Sequence, residues 1–186
     1  METSLALLWL PILVAAVLVF VAGYILNMIL PHHRTDFAKL PDEDSLTDAM
    51  RAQSVAQGQY VFPYASSPAD LKDPAYAEKA NKGPVGFVVV GPSGVGPTGK
   101  QLGTHFVYVL IISLIAAYVA GISLAPGSDY LKVFQITGCV AWLGYVGGLG
   151  LNSIWYHFSW SSTGKHILDG LIYGLLTAGT FGWLWP

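Results

Sequence analysis

The chain has 186 residues, of which 53% are hydrophobic and only 11% are charged, and its formal net charge is −2. A typical soluble domain carries about 25% charged residues, so this composition excludes a protein that water surrounds on all sides. The small net charge argues against the basic stripe of a nucleic-acid-binding protein, and the single cysteine, Cys139, excludes an internal disulfide.

Four long apolar runs dominate the chain, at residues 5–30, 102–126, 133–160 and 167–186. A helix needs about 20 mostly apolar residues to cross a bilayer, and each run reaches that length. The runs do not alternate in polarity as barrel strands do, and a helix satisfies its own backbone hydrogen bonds in lipid. The sequence therefore predicts an all-α membrane protein, a bundle with transmembrane helix 1 in residues 1–30 and helices 2 to 4 in residues 102–186.

Residues 31–101, between the first two apolar runs, are predicted to form a small mixed α/β segment. Acidic residues after Pro41 favour a helix N-terminus, because the helix dipole stabilises negative charge there. A second short helix is predicted to begin after Asp73, its cap, with Pro74 in the first position. Gly83 is suited to end this helix.

The same segment contains two predicted strands and, after them, a glycine-rich loop. Runs of β-branched and aromatic residues at 59–62 and 85–90 predict short strands that pair. Residues 94–100 match the G-x-x-x-x-G-K pattern of a phosphate-binding loop. However, Gln101 stands where that pattern has a magnesium-binding hydroxyl, and Pro97 removes a backbone donor. We therefore interpret the loop as a turn into the second apolar run.

The third and fourth apolar runs are rich in glycine. Gly144 and Gly148 are four residues apart, as are Gly170 and Gly174, which is the spacing that lets two membrane helices approach closely. The pattern predicts that helices 3 and 4 form a tight hairpin. Self-association through these glycine-rich helices is the alternative.

Basic residues near the span ends indicate how the chain crosses the membrane, because lysine and arginine are retained on the cytoplasmic side. With four spans, both termini lie on one side, where Lys132 also lies. Five basic residues lie near span ends on the other side: Arg34, Lys39, Lys82, Lys100 and Lys165. The sequence therefore predicts a multi-pass protein of the bacterial cytoplasmic (inner) membrane, with both termini outside and residues 31–101 in the cytoplasm.

Histidines are the most informative polar residues, since this topology places all five at the cytoplasmic ends of the spans. They are His32, His33, His105, His157 and His166. Asp169 lies three residues after His166, on roughly the same face of a helix. Neutral imidazole and carboxylate groups are common ligands for transition metals. The predicted metal ligands are His105, His157, His166 and Asp169.

Three other roles remain open for these side chains. His105 paired with His157 or His166 would ligate haem b from two helices. An ionisable group inside a span is also a candidate for proton or ion handling. Finally, the basic run 32–34 would anchor the chain to anionic lipid headgroups, a role that needs no cofactor.

The sequence contains no strong catalytic motif, which favours a protein that is not an enzyme. We expect an accessory or assembly subunit of a larger inner-membrane complex, without a cofactor. Its partners would be the lipid bilayer and other membrane subunits, or a second copy of the chain, and no nucleic acid. The alternative is a metal- or haem-binding redox or transport protein that uses the histidine cluster on the cytoplasmic side.

Overall fold

The computed structural model describes residues 3–186, and it is mostly helical, with 68% of residues in helices and one small two-stranded sheet. Four helical segments are long and apolar enough to cross a membrane, as the sequence predicts. These spans are Leu5–Ile29, Gly99–Ser123, Tyr130–Tyr156 and Trp160–Leu184. The chain divides into two compact units, the first made of residues 3–37, 96–154 and 158–186, and the second of residues 38–95 and 155–157.

Seven α-helices and two strands make up the regular structure of residues 3–186. The helices are α1 (Trp9–Tyr24), α2 (Glu43–Ala52), α3 (Pro74–Lys82), α4 (Gly99–Ser123), α5 (Tyr130–Val146), α6 (Leu149–Tyr156) and α7 (Trp160–Leu184). The strands are β1 (Gly58–Phe62) and β2 (Gly86–Val90). A 3-10 turn, Leu5–Leu8, precedes α1, and a π-helical turn, Ile25–Ile29, continues it.

The largest differences from the predicted span boundaries lie at the end of the third span and the start of the fourth. The fourth span begins at Trp160, not at residue 167, because its backbone is already helical through a polar stretch that hydropathy alone excludes. The third span ends at Tyr156 and is interrupted between α5 and α6 at Gly147 and Gly148. Two consecutive glycines weaken a helix, since each costs about 1 kcal/mol relative to alanine.

Glycines of α5 and α7 allow a tight hairpin of these helices, although the predicted pair Gly144 and Gly148 is not part of it: Gly144 meets Ile112 of α4, and nothing lies within 4 Å of a Cβ on Gly148. A Cβ atom on Gly138 would lie 2.9 Å from the Ala178 Cβ, and one on Gly174 would lie 3.1 Å from the Trp142 Cβ. A Cβ on Gly170 would overlap the side chain of Val146. These glycines are therefore used for packing within the chain.

Polar contacts join three parts of the first unit at one end of its helices. The Thr3 backbone N–H donates to the Gly121 carbonyl at 2.8 Å, and the Thr3 hydroxyl donates to the Leu124 carbonyl at 2.7 Å. The Trp185 indole donates to the Ala125 carbonyl at 3.0 Å. The residues near both ends of the chain thus meet the turn between α4 and α5.

The start of α4 is fixed by a capping box. The Thr98 hydroxyl accepts from the Gln101 backbone N–H at 3.3 Å, and the Gln101 side chain accepts from the Thr98 backbone N–H at 2.7 Å. Such reciprocal bonds satisfy donors that the first turn of a helix leaves free. Gln101, which departs from the phosphate-loop pattern, therefore has a structural role.

The second unit contains the predicted strands and short helices. Strands β1 and β2 pair antiparallel, with Tyr60 opposite Val88. Helix α3 begins with the Asp73 side chain accepting from the Ala75 backbone N–H at 2.8 Å, and it ends at Gly83. The predictions for these elements are confirmed.

Candidate metal centre

The chain turns sharply after the first span and brings two histidines to α7. Leu30 is extended, with φ −75° and ψ 143°, as expected for a residue that precedes proline. Pro31 then starts a 3-10 turn that ends with His32 and His33. The short turn presents both imidazoles to α7.

The carboxylate of Asp169, on α7, contacts both of these histidines. Its side chain is only 3% exposed. His32 Nε2 lies 3.1 Å from Asp169 Oδ1, and His33 Nε2 lies 2.7 Å from Asp169 Oδ2. A buried carboxylate is costly without such partners, so these contacts fix the turn against α7.

A second carboxylate, that of Asp36, contacts the opposite nitrogen of the His33 ring, Nδ1. Its Oδ2 atom lies 2.6 Å from His33 Nδ1, and its Oδ1 atom accepts from Lys165 Nζ at 2.6 Å. Lys165 also donates to the Thr35 hydroxyl at 2.8 Å. His166 Nε2 is more distant, 3.9 Å from Asp36 Oδ2.

These charges change the protonation of the groups outside the spans. The Lys165 ammonium, and then the His33 ring, hold the pKa of Asp36 well below its usual range. Burial lowers the pKa of His33, but its hydrogen bonds to Asp169 and Asp36 outweigh burial and leave that pKa raised. The lowered pKa keeps the Asp36 carboxylate negatively charged and able to accept a cation.

The three histidine rings are closely packed. The His32 and His33 ring centroids are 4.0 Å apart, and His33 stacks on His166 at 4.5 Å with an interplanar angle of 22°. Two groups of three side chains could each hold a metal ion. Each residue offers one ligand atom, and within each group these atoms lie within 4.8 Å of one another. The first group is His32, His33 and Asp169, and the second is His33, Asp36 and His166.

The structure brings together two of the four side chains predicted as ligands from sequence. His166 and Asp169 belong to the cluster, one in each group. His105 packs on Phe20, with ring centroids 5.4 Å apart, and His157 follows α6 in the second unit, with φ +60°. Within residues 3–186, neither His105 nor His157 belongs to a group of potential metal ligands.

Sequence reasoning did not include His32, His33 and Asp36 among the ligands. It treated the basic run 32–34 as a lipid anchor, since consecutive histidines and an arginine after a span are typical of one. The available signal was Asp36, which follows the histidines by three and four residues and provides a carboxylate on the same turn.

The spans and this cluster define a multi-pass membrane protein that carries a compact histidine–aspartate centre in its helical unit. In comparisons with protein-family models, curated proteins and solved structures, nothing matches this chain.

Proposed function

We propose that this protein binds a divalent transition-metal ion through His32, His33 and Asp169. The observation that carries the proposal is the approach of two Nε2 atoms to one buried carboxylate, at 3.1 and 2.7 Å. Two imidazoles and a carboxylate are a common ligand set for Zn²⁺ and for non-haem Fe²⁺. Asp36 and His166 flank this set and form the second group of potential ligands.

The surroundings of His33 support this assignment. Ligating histidines usually donate their second ring N–H to a carboxylate, which sets the tautomer and the orientation of the ring. Asp36 is placed for this role at 2.6 Å from His33 Nδ1, and Lys165 holds Asp36 in position. Nε2 of His33, which contacts Asp169 Oδ2 at 2.7 Å in this structure, would lose its proton on metal binding and ligate the ion together with that carboxylate.

The number and packing of the ligands favour a single ion over haem b. Three protein ligands leave an open coordination position, as in catalytic metal sites, whereas structural zinc sites have four. The rings of His32, His33 and His166 are only 4.0 and 4.5 Å apart, which leaves no space for a porphyrin between these three rings, and the haem pairing of His105 with His157 or His166 stays a prediction. The open position suits a redox or transport role in which a further ligand binds the ion.

The location of this centre follows from the distribution of basic residues. The excess of lysine and arginine near one set of span ends supports a bacterial cytoplasmic membrane location with residues 31–101 inside and both termini outside. The histidine–aspartate centre would then lie at the cytoplasmic face. It would take its metal from the cytoplasm.

A second candidate function is that of an accessory or assembly subunit of a larger membrane complex. Its support is the exposed apolar surface of the second unit, where Val89 is 71% and Tyr64 is 73% exposed. A two-stranded sheet is marginal alone in water, so a covering partner would stabilise it. Gentle extraction should recover a heavier assembly, and a stable monomer that has lost no partner would remove this candidate.

A zinc titration tests the metal proposal. The full chain, purified in mild detergent and stripped with a chelator, should bind about one equivalent of Zn²⁺ in competition with a fluorescent chelator. His32→Ala and His33→Ala should each weaken zinc binding by more than about 100-fold. Losing only a hydrogen-bond partner of a metal ligand already lowers metal affinity by about 10–100-fold, and these variants remove a ligand itself.

His105→Phe is the matched control, since it removes a histidine outside the cluster. Zinc binding should be unchanged in this variant. Loss of binding in His105→Phe with normal binding in His32→Ala would support the ligands predicted from sequence and overturn the present set.

A further inference from the structure

A cavity of about 490 Å³ lies among α1, its π-helical extension, α4 and α7. This volume is within the range of small-molecule sites, which is about 300–1,000 Å³. Much of the lining is aromatic, and Phe20, Tyr24 and Tyr173 contribute rings. His166 lines this cavity and also an adjoining one that includes His33 and Asp36, so the cavity borders the histidine–aspartate centre.

Two polar groups in the lining are free to bind a ligand. The Tyr173 hydroxyl accepts a hydrogen bond from Asn27 Nδ2 at 3.3 Å, which leaves its own proton to donate. His105 is exposed and packs on Phe20, so its ring nitrogens are accessible to a ligand. The His105 ring carbon Cε1 and the Tyr173 hydroxyl oxygen each lie 3.4 Å from the position of a Cβ atom on Gly23, so the two side chains meet beside this glycine.

Gly23 keeps this spot open. A methyl group there would just touch the His105 and Tyr173 side chains, whereas a larger side chain would occupy the space between them. Gly23 is buried, but Tyr24 and Met28 also line the cavity and are 56% and 55% exposed within the same span, so a ligand would enter from the membrane.

We infer that this cavity binds the ring of a membrane-dissolved quinone. Its carbonyl oxygens would accept hydrogen bonds from Tyr173 and His105, and its planar ring would pack on Phe20 and Tyr24. None of the cavity's described lining residues is a lysine or an arginine, so a neutral carbonyl compound fits better than a phosphate headgroup. This inference does not depend on the metal, because His32 and Asp169 do not line the cavity.

Photoaffinity labelling with an azido-benzoquinone tests the inference on the full chain in phosphatidylcholine nanodiscs. Labelling should saturate, map to the peptides that contain Gly23 or Tyr173, and be displaced by unlabelled decylubiquinone. Gly23→Leu should abolish the saturable component. Val17→Leu is the matched control, since Val17 is an exposed residue of the same helix, and its labelling should be unchanged.

Two conservative variants keep the test decisive if Gly23→Leu does not fold. Tyr173→Phe and His105→Phe retain an aromatic ring but remove a donor, and each should raise the half-saturating concentration about fivefold. Labelling that does not saturate, or that all these variants leave unchanged, would overturn the inference and indicate lipid acyl chains as the occupant. His32→Ala should label normally, so a failed metal site and a failed quinone site give different results.

Discussion

His33 Nε2 lies 2.7 Å from Asp169 Oδ2, although 136 positions separate the two residues in the chain. The contact joins the turn after the first span to the fourth span, and it satisfies a carboxylate that is only 3% exposed. Because the opposite nitrogen of the same ring contacts Asp36, His33 connects two carboxylates. The proposed metal centre depends on this position of His33 between Asp36 and Asp169.

The role of Asp36 as an outer partner of the metal can be tested with Asp36→Asn. We expect zinc affinity to fall by about 10–100-fold while the bound amount at saturation stays the same, as for other outer carboxylates. Competition with a fluorescent chelator measures the affinity. Asp44→Asn, an exposed acidic residue of α2, is the control, and an equal loss there would indicate a nonspecific effect of charge.

The close contact of α5 with α7 predicts a large difference between two glycines of the same helix. Gly170→Ala should lower the free energy of unfolding by about 1–3 kcal/mol, since its Cβ would overlap Val146. Gly164→Ala should be neutral or stabilising by up to about 1 kcal/mol, since nothing lies within 4 Å of its Cβ position. Denaturant unfolding in detergent compares them, and equal values would contradict the packing.

Asp70 should titrate at an unusually low pH. Hydrogen bonds from the side chains of Ser66 and then Ser67 lower its pKa from 3.8 to about 2. Its contribution to stability is therefore present above pH 3.8 and is lost as the pH falls through 2. NMR of the carboxyl carbon should show this midpoint, and the double variant Ser66→Ala, Ser67→Ala should shift it back towards 3.8. No shift in the double variant would contradict the assigned cause.

The proposed orientation predicts opposite labelling of two engineered cysteines. In a Cys139→Ala background, Lys82→Cys should react with a membrane-impermeant maleimide only in inside-out vesicles. Ser128→Cys, in the turn between α4 and α5, should react only in right-side-out vesicles. The reverse pattern would place residues 31–101 outside the cytoplasm.

Much of the fold could be predicted from local signals in the sequence. Apolar length identifies the spans, and Asp73, Pro74 and Gly83 define α3, because capping and backbone restrictions act over a few residues. The start of α7 could not be located from hydropathy, since hydrogen-bonded helix continues into polar sequence. The break between α5 and α6 could not be predicted either, because the consecutive glycines Gly147 and Gly148 suit close helix packing as well as the end of a helix.

The candidate site was only partly predictable because its contacts are long-range. Asp169 stands out inside the fourth apolar run and His166 immediately precedes that run, so the sequence predicts both as ligands. The pairing of Asp169 with His32 depends on how the turn after Pro31 directs the chain, and no local pattern specifies that. Conversely, the expectation that all the histidines meet at one bundle end assigned His105 and His157 to the same site, and their metal-binding role stays a prediction.

Elemental analysis of the natively purified protein tests the central claim most directly. Iron, copper, zinc and manganese would be measured in the wild type, in His33→Ala and in His105→Phe, each prepared in mild detergent without added metal. The account predicts about one equivalent of one transition metal in the wild type and in His105→Phe, and its loss in His33→Ala. A wild-type protein without metal, or a His33→Ala variant that retains it, would contradict the account.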